Sequence, residues 1–212
     1  PNEYWEYIKI NLDEPEDIWA DYFQNQADDC VRALAFLTVY NKGKISEEEL
    51  RRSYNTFLKV HPVNLGDNSD KSFEAVRKLA TKSLLNRNQI AENSYEYVLF
   101  NPSIADFILS SYSDEIELIS NILKSLETET SIDYFNSLSI FKKINKKCSK
   151  KILENLFNYF FKQKIEDESW DFLISLCSIA HRNDKLENKV KDFIEFLINA
   201  NDPNGDNLSE LL

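Results

Sequence analysis

The 212-residue chain contains no Met, 3 Gly, 5 Pro, 3 Cys and 2 His. Glycine and proline mark the frequent turns of all-β folds, so their scarcity predicts a mainly helical chain. The cysteines, Cys30, Cys148 and Cys177, form neither a C-x-x-C pair nor a Cys/His ligand spacing. Their odd number predicts reduced thiols and a cytoplasmic protein. His61 and His181 are isolated from carboxylates and thiols at ligand spacing, which makes them surface or packing residues rather than metal ligands or general bases. There is no apolar run of about 18 residues and no basic-then-apolar leader, so neither a membrane span nor a signal peptide is expected, and no membrane partner. The glycines stand at 43, 66 and 205, outside any G-x-x-x-x-G-K-[ST] phosphate loop, and nucleotide hydrolysis by that device is excluded for this stretch. With no Met and Pro1 in first place, the chain reads as a segment of a longer protein.

Apolar material is plentiful: 42% of residues are hydrophobic, with 14 Phe and 10 Tyr, enough for a packed core rather than a disordered tail. The net charge of -11 repels phosphate backbones unless basic residues gather on one face, which disfavours nucleic acid as a partner.

Residues 1–14 form a lead-in, helical or extended. Pro15, Glu16 and Asp17 suit a helix start, followed by Ile18, Trp19, Tyr22 and Phe23 on one face. Asp28 and Asp29 open a helix from Cys30 to Tyr40 that is apolar nearly all round and ends at Asn41-Lys42-Gly43. Ser46-Glu47-Glu48-Glu49 has capping-box form and starts a third helix with Leu50, Tyr54, Phe57 and Leu58. Residues 62–70 read as a loop, and residues 72–85 as a fourth helix with Phe73, Val76, Leu79, Ala80 and Leu84 at helical spacing. Leu84–Asn88 and Tyr95–Phe100, around a polar turn at Ala91–Asn93, predict a β-hairpin. Asn101-Pro102-Ser103 then caps an amphipathic helix carrying Ile104, Phe107 and Ile108, with Asp106 in its first turn. Helices followed by a hairpin match a winged-helix domain over residues 15–111, with the hairpin as its wing.

From residue 112 to 212 the pattern is helical throughout. Segments begin at Ser113-Asp114-Glu115 and at Ser131-Ile132-Asp133, and continue at Ile152–Phe161, Ser169–Ala180 and Leu186–Ile198. This predicts an antiparallel helical bundle or the start of an α-solenoid. Asn201–Asp206 stops the last long helix.

Three pieces of the first half resemble the winged-helix region of STAND-class signal-transduction ATPases, especially the novel STAND families of bacterial antiphage defence. They are the buried helix Val31–Tyr40 with Gly43 and Ile45–Leu50, the helix Ala75–Leu85, and Phe100-Asn101-Pro102-Ser103-Ile104-Ala105-Asp106-Phe107. The last is similar to the family's F-H-N-P-S-x-x-D-F ending, with Phe100 where relatives often place His. The resemblance implies a non-enzymatic regulatory segment without a cofactor of its own. Its partners would be the nucleotide-binding domain of the same parent and a protein trigger, and Asn101 and Ser103 are candidates to touch a nucleotide phosphate in that parent.

Capping explains Asn101 and Ser103 without any ligand. A second candidate is the run Lys142, Lys143, Lys146, Lys147, Lys150 and Lys151, six lysines in ten residues. It reads either as a solvated loop between helices or as a point-charge contact for an anion or partner. These lysines could also lower the pKa of Cys148. Glu47–Glu49 and Glu166-Asp167-Glu168 read as acidic helix starts rather than catalytic pairs. Two other functions fit: an all-α protein-interaction scaffold, and a DNA-binding winged helix placing Arg51, Arg52 and Lys59 in a groove.

Overall fold

The computed structural model describes residues 19–62, 70–163, 169–182 and 186–201. The lead-in 1–14, the Pro15 helix start, most of the loop after Pro62, the Glu166-Asp167-Glu168 cluster and the stop signal at 202–206 lie outside these residues. The fold is mainly helical with one small antiparallel sheet of three strands. It divides into two compact units, Pro1–Ser113 and Asp114–Leu212. Among the described residues, no helix is long and apolar enough to cross a membrane.

In the first unit a π-helical turn, Tyr22–Gln26, leads into α1, Asp29–Tyr40. Asp28 caps α1 by accepting from the Cys30 N–H at 2.7 Å. Ten of its residues are buried, as an apolar helix without a polar face requires. Gly43, at φ 84°, turns the chain and donates its N–H to the Thr38 carbonyl at 2.8 Å. Directly after it comes β1, Lys44–Ser46, a strand of three residues too short to show alternation in the sequence.

Ser46 ends that strand and caps α2, Glu47–Val60. Its hydroxyl accepts from the Glu49 N–H at 3.2 Å, and its own N–H donates to the Glu49 carboxylate, completing the capping box. The next helix, α3, covers only Phe73–Ala80; residues 81–84 are turn, so the helix expected to reach residue 85 stops about one turn early. Strands β2, Leu85–Ala91, and β3, Ser94–Leu99, form the hairpin, with Arg87 opposite Tyr97 and a register shift between Gln89 and Ala91. β3 is central because β1 pairs on its other side, Ile45 opposite Tyr97, giving the order β1-β3-β2. Helix α4, Ser103–Ser111, buries Ile104, Phe107 and Ile108. Phe23, Phe36, Phe107 and Tyr112 make an aromatic cluster in which Tyr112 meets Phe36 and Phe107 edge-on, while the Phe23 and Phe107 rings are tilted with centres 5.2 Å apart.

Among the described residues the second unit has five helices: α5 Ile116–Leu126, α6 Glu129–Ile140, α7 Lys146–Phe160, α8 Trp170–His181 and α9 Glu187–Asn201. Alternate helices pack together. α5 lies against α7 and α6 against α8, while Phe193 of α9 meets Phe157 of α7 at 5.1 Å between ring centres. Two helix starts differ from the pattern-based ones. α6 begins earlier because Thr128 caps it, accepting from the Ser131 N–H at 3.1 Å. α7 begins two turns earlier, at Lys146, because the Asn145 side chain accepts from the Lys147 N–H at 2.7 Å.

Candidate functional site

The turn after the hairpin is built almost wholly from its own residues. The Phe100 N–H donates to the Leu84 carbonyl at 2.8 Å and closes the base of the hairpin. Asn101, held away from helical geometry by the following proline, offers Oδ1 to both the N–H and the hydroxyl of Ser103, each at 2.9 Å. Ser103 Oγ in turn accepts from the Trp19 indole N–H at 2.8 Å. The two residues singled out as phosphate contacts are therefore adjacent and mutually bonded, and their geometry is that of a cap. Phe100 is 60% exposed beside them.

A polar network with no local signature in the sequence ties α2 and α3 to the sheet. Glu47, at the start of α2, accepts on Oε2 from Arg87 Nε of β2 at 2.6 Å and from the Tyr97 hydroxyl of β3 at 3.0 Å. Arg51 lies 3.8 Å from Glu47 and pairs closely with Glu74 of α3, which also takes Arg77 Nε at 2.6 Å. The Arg51 guanidinium lies over the Phe73 ring at 4.6 Å and that of Arg87 over the Tyr95 ring at 3.3 Å. Hydrogen bonds from Arg87 and Tyr97 hold the Glu47 carboxyl below its usual range, and those from Arg77 and Arg51 do the same for Glu74. Burial, and donation to Glu47, push the Tyr97 hydroxyl up. Of the residues expected to enter a DNA groove, Arg51 is committed within this network, and the charge of Arg52 acts on the Glu49 carboxyl, lowering its pKa against the rise due to burial. A sequence reading misses the cluster because its members are 40 and 50 positions apart at the two Glu47 contacts.

The lysine run belongs to a helix more than to a loop. Lys142 and Lys143 lie in the exposed α6–α7 connection, with Lys142 at φ 58°, whereas Lys146, Lys147, Lys150 and Lys151 occupy the first two turns of α7. The expectation of a solvated loop is corrected accordingly: once Asn145 supplies the cap, lysine's good helix propensity extends the helix through the run. Lys150 pairs with Glu154 at 3.4 Å. Lys151 reaches the mouth of a groove of about 790 Å³ between α5 and α7. The groove is lined further by Glu117, Lys124, Asn155, Asn158 and Tyr159.

All three cysteines are free and buried. Burial pushes the Cys30 thiol up, and Cys177 is pushed up to about 12. The Cys148 thiol is also raised, by desolvation and by donation to Asp114 at 3.5 Å, which outweigh Lys151 and Lys147. The expected lowering by neighbouring lysines is thus overturned, and a neutral thiol is a poor nucleophile. His61 stacks on Phe57 at 4.7 Å, and His181 is exposed at the end of α8. Among the described residues, no group of three or more His, Cys, Asp or Glu side chains is arranged to hold a metal ion. Compared with protein-family models, with characterised proteins and with solved structures, the chain matches none.

Proposed function

We propose that this chain is a non-enzymatic regulatory segment of a larger cytoplasmic STAND-class ATPase, a winged-helix domain followed by the start of a helical sensor. The observation that carries the reading is topological. The order α1, β1, α2, α3, β2, β3 with the sheet arranged β1-β3-β2 supports a winged-helix reading in which β2–β3 would be the wing. The alternate-helix packing of the second unit supports the sensor half, since stacked helices of this kind extend into solenoids with long binding faces. In this role the winged helix rests on the nucleotide-binding core and reorients when the sensor binds its trigger, a two-state element rather than a reaction centre.

Two features favour this over DNA reading. The net charge is -11, and Arg51, Arg77 and Arg87 are already paired with Glu47 and Glu74. A titration with duplex DNA across salt concentrations is expected to show only weak, non-specific binding; site-specific binding at physiological salt would reverse the ranking. The coding sequence upstream of Pro1 tests the parent class. A phosphate loop followed by an acidic strand is expected there, and a reading frame without them overturns the STAND proposal.

A further inference from the structure

We infer that the groove between α5 and α7 is a docking site for an acidic protein segment. The inference stands apart from the winged-helix reading, because every residue it uses lies in the second unit. Residues 147, 151, 154, 155 and 158 recur at helical spacing and form one stripe along α7. From Lys147 to Asn158 that stripe runs about 16 Å at the helical rise, the length of about five residues of extended chain. Lys124 faces the stripe from α5, and Lys162 and Gln163 close its far end.

Lys124 decides the sign of the ligand. It is half-buried, its ammonium donates to Asn121 Oδ1 at 3.0 Å, and it sits 5.3 Å from the centre of the Tyr159 ring. Among the described residues it enters no ion pair. A cation withdrawn from water without a bonded carboxylate gains most from an incoming anion. Desolvation lowers its pKa, and the charge of Glu117 opposes that shift.

Spacing selects the ligand class. The lysines that line the groove, Lys124 on α5, Lys151 on α7 and Lys162 just beyond α7, stand at separate positions along it, so they suit carboxylates distributed along a chain and not a single phosphate. Glu117 and Glu154 stand among them, which separates the cationic positions and disfavours a rigid, evenly charged phosphate backbone longer than the stripe. Asn155 donates to Ser120 Oγ and Asn158 accepts from Lys189 Nζ, both at 3.3 Å, which holds two amides in place beside the path of a peptide backbone.

The test is fluorescence anisotropy of a labelled hexaglutamate peptide titrated with the full chain at low salt. The Lys151→Gln/Lys162→Gln pair is expected to weaken binding roughly tenfold, whereas Lys142→Gln/Lys143→Gln, of equal charge change but off the stripe, weakens it less than about twofold. Lys124→Met, which keeps the side-chain length, is also expected to weaken binding, with the circular dichroism melt confirming that it folds. The proposal is overturned if hexaglutamate does not bind, if both double variants lose affinity equally, or if inorganic phosphate displaces the peptide at comparable molar charge. Tighter binding of duplex DNA, or of vesicles of phosphatidylcholine with one-quarter phosphatidylserine, overturns it as well.

Discussion

The two units cover apolar cores by different means. In the first, helices are held to a sheet by polar bonds spanning distant parts of the sequence: Glu47 joins α2 to both β2 and β3, and Glu74 joins α3 to α2. In the second, neighbouring helices meet mainly through rings and branched aliphatics, as in the Phe157, Phe161 and Phe193 contacts, with polar bonds such as Ser139–Ser149 and Ser169–Glu127 beside them. A sheet needs its strands set in register from afar, so directional bonds are useful there, whereas helices close their own backbone bonds and need only packing. The carboxylates Glu47 and Glu74 that tie the first unit together have lowered pKa values, so its stability is expected to fall in acid.

The largest way to test this contrast is Phe157→Ala. The ring is fully buried and edge-on to Phe193, so its removal should cost about 3–5 kcal/mol. Hydrogen exchange should show protection lost in α5–α9 and kept in α1–α4; equal loss in both would refute two separately stable units.

Next comes Glu47→Gln, expected to destabilise the first unit by about 2 kcal/mol because the bonds it weakens are charge-assisted and its side chain is 19% exposed. The same network sets a pH dependence. Folding lowers the Glu47 and Glu74 pKa values below the ordinary 4.5, so the unfolded chain binds more protons in that window. Their stabilisation is complete above the ordinary value and is lost as pH falls through the folded-state values. Urea midpoints measured per unit between neutral and acidic pH should fall for the first unit, and the slope should flatten in Glu47→Gln.

A smaller effect is expected for Asn101→Ala, about 1 kcal/mol through loss of the cap, seen as a lower urea midpoint and faster exchange of the Ser103 amide. An unchanged midpoint would remove the capping account. Smallest is Phe141→Ser: the side chain is 77% exposed, and thermal stability should move by no more than about 0.5 kcal/mol.

How much was readable in advance follows the same division. Helix starts marked by side-chain chemistry, at Asp28 and Ser46, are local, and the hairpin shows itself through its run of aromatic and branched residues. β1 was not readable, because three residues between Gly43 and the Ser46 cap leave no room for a period of two. The lysine run is solvent-facing as its charge suggests, but four of its lysines are helical rather than loop, because the cap at Asn145 and lysine's propensity start the helix there. The Glu47 network and the groove are tertiary objects. Their parts are brought together by folding, so no window along the chain contains them. Asn101 was readable as a cap for the opposite reason, since its partner is two residues away.

Glycine scarcity returns at the corners. Lys42, Asn93, Glu127 and Lys142 all take left-handed backbone angles, between φ 50° and 63°, in turns where glycine would sit without a steric penalty. Lys142 shows the arrangement fully: its N–H bonds Ser139 and the next N–H reaches back to Leu138, an end to α6 of the kind that glycine usually completes. At Lys42, Glu127 and Lys142 the side chain makes this conformation costlier than glycine would, whereas asparagine at 93 adopts it readily. Substituting glycine at Lys42, Glu127 or Lys142 therefore removes a steric cost that the folded chain carries at each of these corners.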